Sequence, residues 1–388
     1  MIRFPRTELA RQLVRALKGQ AIFGDAQNGL FLAAPRRTGK STFLKEDLAP
    51  ALIAAGAVVV YVDLWSATQR DRAELLTRAI GEALRSHLGS VARAAREVGV
   101  SKVSLKGFIE IDPGKIGALD GATIPEALRT LEKATGRTIA LIVDEAQHAL
   151  ASEAGEDAMK ALKSARDQMN SPDRIRLMLV MSGSDRDKLL RLVANAAAPF
   201  FGSRIHQMPL LGEDFIRFIK TRIEAQLPQL TPVDEAALKS AFESFGSRPQ
   251  FFMDAIGRLL SPLSGDKGRL EKLLVREARA RQEEDRAQMA REYLALKPIE
   301  QAVLWRLLEQ GGKYRAFDSE ALRFYSRVIG EKKVAVARVQ RALEALRSHE
   351  PPLLWKSAHG EYALEDTAMN EWYQELVSRS EWPPKSVS

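Results

Sequence analysis

The chain contains no cysteine. That absence excludes disulfides, thiolate metal ligands and thiol nucleophiles, and it is compatible with a reducing compartment such as the cytosol. Histidine is scarce as well: His87, His148, His206, His349 and His359 are scattered without metal-ligand spacing, so each reads as a surface or packing residue. Long apolar runs are missing. The longest, "APALIAAGAVVVYV", is broken by Pro50 and Gly56 and is too short to span a bilayer; it reads as a helix end followed by a strand. The opening "MIRFPRTELARQLVRAL" alternates arginine with apolar residues and lacks the apolar core of a secretory signal. A cytoplasmic protein without a membrane partner is expected. No repeat and no low-complexity tract stands out.

What is present is a chain of 388 residues, long enough for two or three domains. With 45% apolar and 28% charged residues it has the composition of a globular protein. The formal charge of +8 favours an acidic partner, nucleic acid or a membrane surface.

Apolar periodicity predicts a helix over 6–18, a strand in "GLFLAA", a helix from Lys40 to about Ala55 through Leu44, Leu48, Leu52 and Ile53, and a buried strand in "AVVVYVDLW". A helix near 71–88 follows. The alternation about Pro-Gly in "KVSLKGFIEIDPGKIG" then suggests an inserted hairpin at about 100–118, whose Lys102, Lys106 and Lys115 either touch a partner or keep an edge soluble. Helices near 124–135 and 155–169 alternate with strands in "TIALIVDE", "RLMLVMSGS" and "RIHQMPL". Five apolar strands separated by helices imply an α/β fold with a mainly parallel five-stranded sheet covered on both faces. After 211 only helical patterns remain. The expected organisation is an α/β core over 1–210, a helical lid over 211–265, a charged helical linker over 266–295 and a last module over 296–388.

The chemistry starts at "APRRTGKST", residues 34–42. In a phosphate loop, backbone N–H groups at a strand end point inward at a helix N-terminus and bind an anion. Ala34, Pro35, Arg36, Arg37, Thr38, Gly39, Lys40, Ser41 and Thr42 are the candidate nucleotide contacts. Gly39 allows close backbone approach, Lys40 reaches the β and γ phosphates, and Ser41 offers a hydroxyl to Mg²⁺. Ala34 stands where G-x-x-x-x-G-K-[ST] begins with glycine, which is tolerable if its backbone is not left-handed. About a hundred residues on, "ALIVDEAQ" is an apolar strand ending in two acids. Asp144 suits Mg²⁺, and Glu145 suits the polarisation of an attacking water. ATP and Mg²⁺ are therefore the expected cofactors.

Taken in order, "APRRTGKST", "LIVDEAQ", "VMSGS" and "FFGSRIHQMPL" resemble the archaeal-type ATPase branch of the AAA+ and STAND P-loop ATPases, over roughly residues 5–260. The resemblance implies further roles. Ser182, with Ser184 next in line, falls where the family places a polar sensor of the γ phosphate, although either serine can simply cap the following helix. Arg204 matches an arginine finger offered to a neighbouring subunit, against the alternative of an ordinary salt bridge. Arg248 sits near a second, lid-borne sensing arginine, in a motif that departs from the usual one.

From about 296, three helical patterns and a short hairpin around His359-Gly360 resemble a winged helix. In the third helix Val336, Val339, Leu343 and Leu346 recur at core spacing, leaving Arg338 and Arg341 on another face, with Lys332 and Lys333 at the start and Lys356 in the wing. Those five cations are the candidate contacts to duplex DNA phosphates. Glu344, three positions from Arg341 and Arg347, allows self-pairing instead, and winged helices also bind proteins. Trp305, Trp355 and Tyr362 read as core aromatics.

The leading expectation is an ATP-hydrolysing switch acting on DNA or a DNA-bound complex, assembling through Arg204 in trans. The alternatives are a regulatory or defence-type signalling protein that grips a protein partner with ATP as a structural ligand, and a small-molecule phosphotransferase. The adjacent acids, suited to activating water, disfavour the last.

Overall fold

The computed structural model describes residues 3–20, 26–66, 70–97, 116, 121–194, 196–228, 232–261, 269–366 and 368–384, and side chains within the helix only up to 87 around that region. Apart from Ile116, the hairpin expected at about 100–118, with Lys102, Lys106 and Lys115, lies outside the described residues. Contacts divide the chain into two units, Met1–Leu210 and Leu211–Ser388.

The first unit is built on a parallel sheet of five strands, β1 (Leu30–Ala33), β2 (Val58–Asp63), β3 (Ile139–Asp144), β4 (Leu177–Gly183) and β5 (Ile205–Gln207), in the order β2-β3-β4-β1-β5. β1, β3 and β4 are apolar along most of their length and buried at every position, as strands covered on both faces must be. β2 alternates between buried and half-buried residues. Helix α1 (Thr7–Leu17) buries Ala10, Val14 and Leu17 against Leu44, Leu48 and Leu52, in one cluster with the apolar residues of β1, β3 and β4.

The helix expected from Lys40 to Ala55 is not continuous. It runs as α2 (Lys40–Phe43), a π turn (Leu44–Leu48) and α3 (Ala49–Ala54). Pro50, in the first turn of α3, has no N–H for the carbonyl of Glu46, and the ladder widens ahead of it. The Arg3 guanidinium donates to that carbonyl from outside. Leu44, Leu48 and Leu52 are fully buried, but Ile53, grouped with them by periodicity, is 54% exposed because it lies one residue round the helix from Leu52. Helix α4 (Arg72–Glu97) runs past the expected end at 88, and α5 (Ile124–Thr135) starts in a capping box between Thr123 and Glu126. A 3₁₀ turn (Ala146–Ala151) and α6 (Glu153–Met169) follow β3, and α7 (Arg186–Leu190) follows β4.

The second unit is helical apart from one strand pair. Helices α8 (Glu213–Gln226), α9 (Glu235–Ser244) and α10 (Pro249–Leu259) carry Phe215, Phe242 and Phe252, which group with Phe245 just after α9. The charged segment forms the long helix α11 (Leu270–Ala295). Helices α12 (Pro298–Gln310), α13 (Ser319–Ile329) and α14 (Val336–Arg347) precede the antiparallel pair β6 (Leu354–Lys356) and β7 (Tyr362–Leu364). A further helix, α15 (Ala368–Ser378), was not legible in the sequence; Trp372 and Tyr373 on it pack with Tyr293 and Trp382. One expectation is overturned: Val336 is 47% exposed, so the α14 core face consists of Val339, Ala342, Leu343 and Leu346. Helix α14 starts only at Val336, whose position in the first turn faces away from the core. Trp355 is buried, and Trp305 and Tyr362 are partly buried against the same core.

Candidate functional site

Parallel register brings the motifs together. β1 pairs with β4 so that Leu32 lies beside Ser182 and Ala33 beside Gly183, while β3 pairs with β2 so that Asp144 lies beside Asp63. All four strands end at the same edge, where an open α/β sheet binds ligands at a reversal of strand order. The loop "APRRTGKS" leaves β1 at that edge. Ala34 is buried, donates its N–H to Gly183 O at 3.1 Å, and is not left-handed; the positive φ values fall at Arg37 (67°) and Gly39 (90°). The condition for replacing the first glycine is met. Thr38 closes the loop with its hydroxyl on Pro35 O at 2.7 Å. Pro35, Arg36 and Arg37 are exposed.

Lys40, the first residue of α2, is only 5% exposed. Its ammonium donates to Asp144 Oδ1, sits 2.9 Å from Glu145 Oε1 and bonds Ser182 Oγ at 3.2 Å, which uses all three N–H groups. Asp144 is fully buried and collects five donors. Oδ1 accepts from Lys40, Ser182 Oγ and the Glu145 N–H, and Oδ2 accepts from Ser41 Oγ at 2.6 Å and Tyr61 OH at 2.9 Å. Burial alone would raise this carboxyl; the Lys40 charge and the bonds from Lys40, Ser182 and Ser41 outweigh it and hold the group at about 2. It stays ionised. Burial pushes the Tyr61 phenol up, and the neighbouring Asp144 adds to that, so Tyr61 remains a donor. Thr42 follows Ser41 within α2.

Glu145 adopts a left-handed backbone, φ 53°. Its Oε2 accepts from Gln147 Nε2 at 2.6 Å, Ser184 Oγ at 2.8 Å and Ser184 N at 3.2 Å. Burial opposes ionisation here too, but Lys40 and the donors Gln147 and Ser184 keep the carboxyl below its ordinary value. Next to it, the Trp65 ring lies 4.3 Å from that of His148 and takes the Arg36 guanidinium at 5.2 Å. His148 is 2% exposed, and its Nε2 has no hydrogen-bond partner among the described residues. Burial, then the Lys188 charge, lowers its pKa to about 3, so the ring is neutral at pH 7.

Residues 24–190, which contain this whole arrangement, match a family described as the AAA domain. This segment is an AAA domain. Its sheet and phosphate loop give the first unit the fold of a P-loop AAA+ ATPase. The chain is similar to ORC1 of Aeropyrum pernix in complex with DNA, at 16% identity over 97% of this chain and 95% of that one, TM-score 0.44. It is also similar to Aeropyrum pernix ORC2 in its ADP form, at 14% identity over 97% and 93%, TM-score 0.48. A third similar structure is Drosophila ORC bound to DNA, at 12% identity over 96% of both chains, TM-score 0.36. No curated protein matches the chain.

The AAA domain therefore gathers Lys40, Ser41, Asp144, Glu145 and Ser182 in one network. Arg204 is not gathered. Pairing of Phe31 with Ile205 sets Arg204 level with Leu30, at the amino end of β1, roughly 10 Å along the strand from the loop that leaves Ala33. Arg204 is exposed and forms no ion pair among the described residues. Arg248 belongs to the second unit, where it caps α10 after a left-handed Ser247 and lies 3.9 Å from Glu371.

In that unit Lys332 and Lys333 are exposed ahead of α14, and Arg341 is exposed on it. Arg338 is held by Glu331, both of whose oxygens lie 2.7 Å from one guanidinium nitrogen, and Glu344 pairs with Arg347 at 2.7 Å rather than with Arg341. Lys356 is half-buried with its ammonium 5.7 Å from the Tyr362 ring. Sequence reading missed Tyr61 and Gln147. The available signals were a lone phenol in the apolar run "VVVYVD" and an amide two places after the acid pair. Among the described residues no helix is long and apolar enough to cross a membrane, and no cluster of three or more acids or histidines forms a metal site.

Proposed function

We propose that the chain is an ATP-hydrolysing switch of the AAA+/STAND type, of the archaeal-type branch, whose nucleotide state governs action on duplex DNA. The observation that carries this reading is the convergence of Lys40, Ser41, Asp144 and Glu145 at the strand edge where the loop leaves β1. The β and γ phosphates of ATP offer Lys40 the same kind of anionic acceptor that Asp144 and Glu145 provide. Ser41 Oγ and Asp144 Oδ2, 2.6 Å apart, are the hard oxygen donors that suit Mg²⁺, which would neutralise phosphate charge there. In hydrolysis the water oxygen bonds to the γ phosphorus, the bond from that phosphorus to the β–γ bridging oxygen breaks, ADP leaves, and the water proton passes to Glu145. Ser182, bonded to both Lys40 and Asp144, is suited to sense the γ phosphate.

Arg204, exposed and level with the far edge of its own sheet, fits the role of a finger reaching a second copy, and Arg248 that of a lid arginine. We read α12–α14 with β6 and β7 as a winged helix, and residues 211–265 and 266–295 as lid and linker. Lys332, Lys333 and Arg341 are then the principal phosphate contacts, with Lys356 beside them and Arg338 diverted to Glu331. A second reading, in which this module grips a protein and ATP is a structural ligand, draws on the exposure of Val336 (47%) and Phe317 (41%). The test is phosphate release with and without duplex DNA, alongside particle mass. Turnover that DNA stimulates supports the switch; tight ATP occupancy without turnover or DNA retention favours the second reading.

A further inference from the structure

The carboxylate of Glu145 is held by Gln147 and Ser184, residues that are not part of the phosphate loop. Three donors converge on Oε2: the Gln147 amide, the Ser184 hydroxyl and the Ser184 N–H. Oε1 is left on the side of Lys40, 2.9 Å from its ammonium. The two serines of "VMSGS" thus serve different acids, Ser182 on Asp144 and Ser184 on Glu145. Gly183 between them makes room for the arrangement. A Cβ at that position would lie 2.5 Å from Gln147 Oε1, closer than real Cβ atoms approach. Gln147 itself is 1% exposed, and its Oε1 is buried without a partner among the described residues. A buried amide that bonds on one side only is costly, and its orientation is dictated by the neighbour: turned over, it would set oxygen against the carboxylate. The left-handed backbone at Glu145, strained for a residue with a side chain, lies where the carboxylate bonds back to Gln147 and Ser184.

We propose that Gln147 and Ser184, admitted by Gly183, are positioning residues that hold Oε2 of Glu145 so that Oε1 alone faces the phosphate loop as the acceptor of the water proton. The inference rests on Glu145 being the base. Fixing one oxygen removes rotation of the carboxylate and presents a single lone-pair direction to the water, an entropic contribution made before the chemical step.

The experiment uses the full chain with Mg-ATP and measures ATP affinity and kcat for Gln147→Leu, Ser184→Ala, Ser184→Thr and Gly183→Ala. The expected result for Gln147→Leu and Ser184→Ala is ATP affinity within about threefold of the parent and kcat lower by about tenfold to a hundredfold. Ser184→Thr, which keeps the hydroxyl, restores most of kcat, and Gly183→Ala behaves like Gln147→Leu. A parallel loss of affinity and kcat would mean general support of the fold and overturns the inference. So does an unchanged kcat in both pair variants. Glu145→Gln separates the levels: if it still turns over, the assignment of the base fails and the pair has nothing to position, whereas if it is inactive while the pair variants are normal, only the positioning role fails.

Discussion

Tyr61 reaches across from β2 to donate its phenol proton to Asp144 Oδ2 at 2.9 Å, the same oxygen that Ser41 holds at 2.6 Å. Tyr61→Phe removes one of five donors and leaves the ring in place. The folded state is expected to lose about 1 kcal/mol, or somewhat more because the acceptor is charged. ATP affinity should stay within about threefold, since the phosphate loop is untouched. Urea unfolding and nucleotide titration of the two proteins check both; a variant as stable as the parent contradicts the assigned bond.

Lys40 neutralises the buried Asp144 and the half-buried Glu145 at once. Lys40→Ala should abolish ATP binding and also destabilise the protein, by about 3–5 kcal/mol, because Asp144 is left in the interior without its counter-charge. Lys40→Ala with Asp144→Asn should recover part of that stability but none of the binding. Calorimetric melting and nucleotide titration separate the two effects. Full stability in the single variant would show that the acids do not depend on Lys40.

His148 supplies a pH signature. Its folded pKa, lowered to about 3, lies below the ordinary histidine value, so between about pH 6.5 and 3 the unfolded chain binds a proton that the folded chain does not. The stability associated with a neutral His148 is therefore complete above about pH 6.5 and is lost as pH falls toward 3. His148→Phe, which keeps a ring against Trp65, should flatten the stability profile over that window. Urea midpoints at pH 7.5 and 5 compare the slopes, and equal slopes in parent and variant would remove His148 from the effect.

Arg338 and the lysines ahead of α14 should differ in salt dependence. Retention on duplex DNA across a salt series should lose about one unit of log–log slope per phosphate contact removed. Lys332→Ala with Lys333→Ala is expected to reduce the slope by about two and Arg341→Ala by about one. Arg338→Ala should change it little, because Glu331 already holds that guanidinium. A flat slope for the parent would favour a protein partner for this module.

Much of the site was legible because it rests on local rules. An apolar run followed by a loop of Gly-Lys-Ser and a helical period announces strand, anion loop and helix wherever it occurs, and "LIVDEAQ" announces a buried strand that ends in acids. Errors arose where neighbours in space decide. Periodicity placed Ile53 and Val336 in the core because adjacent positions share a face only approximately in a helix; the first lies past the buried Leu52, and the second stands at the very start of α14. The π turn before Pro50 depends on a missing N–H, visible in the sequence, but its stabilisation by Arg3 is not.

By itself the sequence determined the strands, the anion loop and the acid pair, because these follow from the polarity and backbone freedom of consecutive residues. Only the tertiary structure decided which serine serves which acid, that Tyr61 and Gln147 belong to the site, and that Arg204 stands at the other edge of the sheet. Those outcomes depend on strand order and register, which bring residues 61, 145 and 184 within bonding distance across stretches of chain that carry no record of one another.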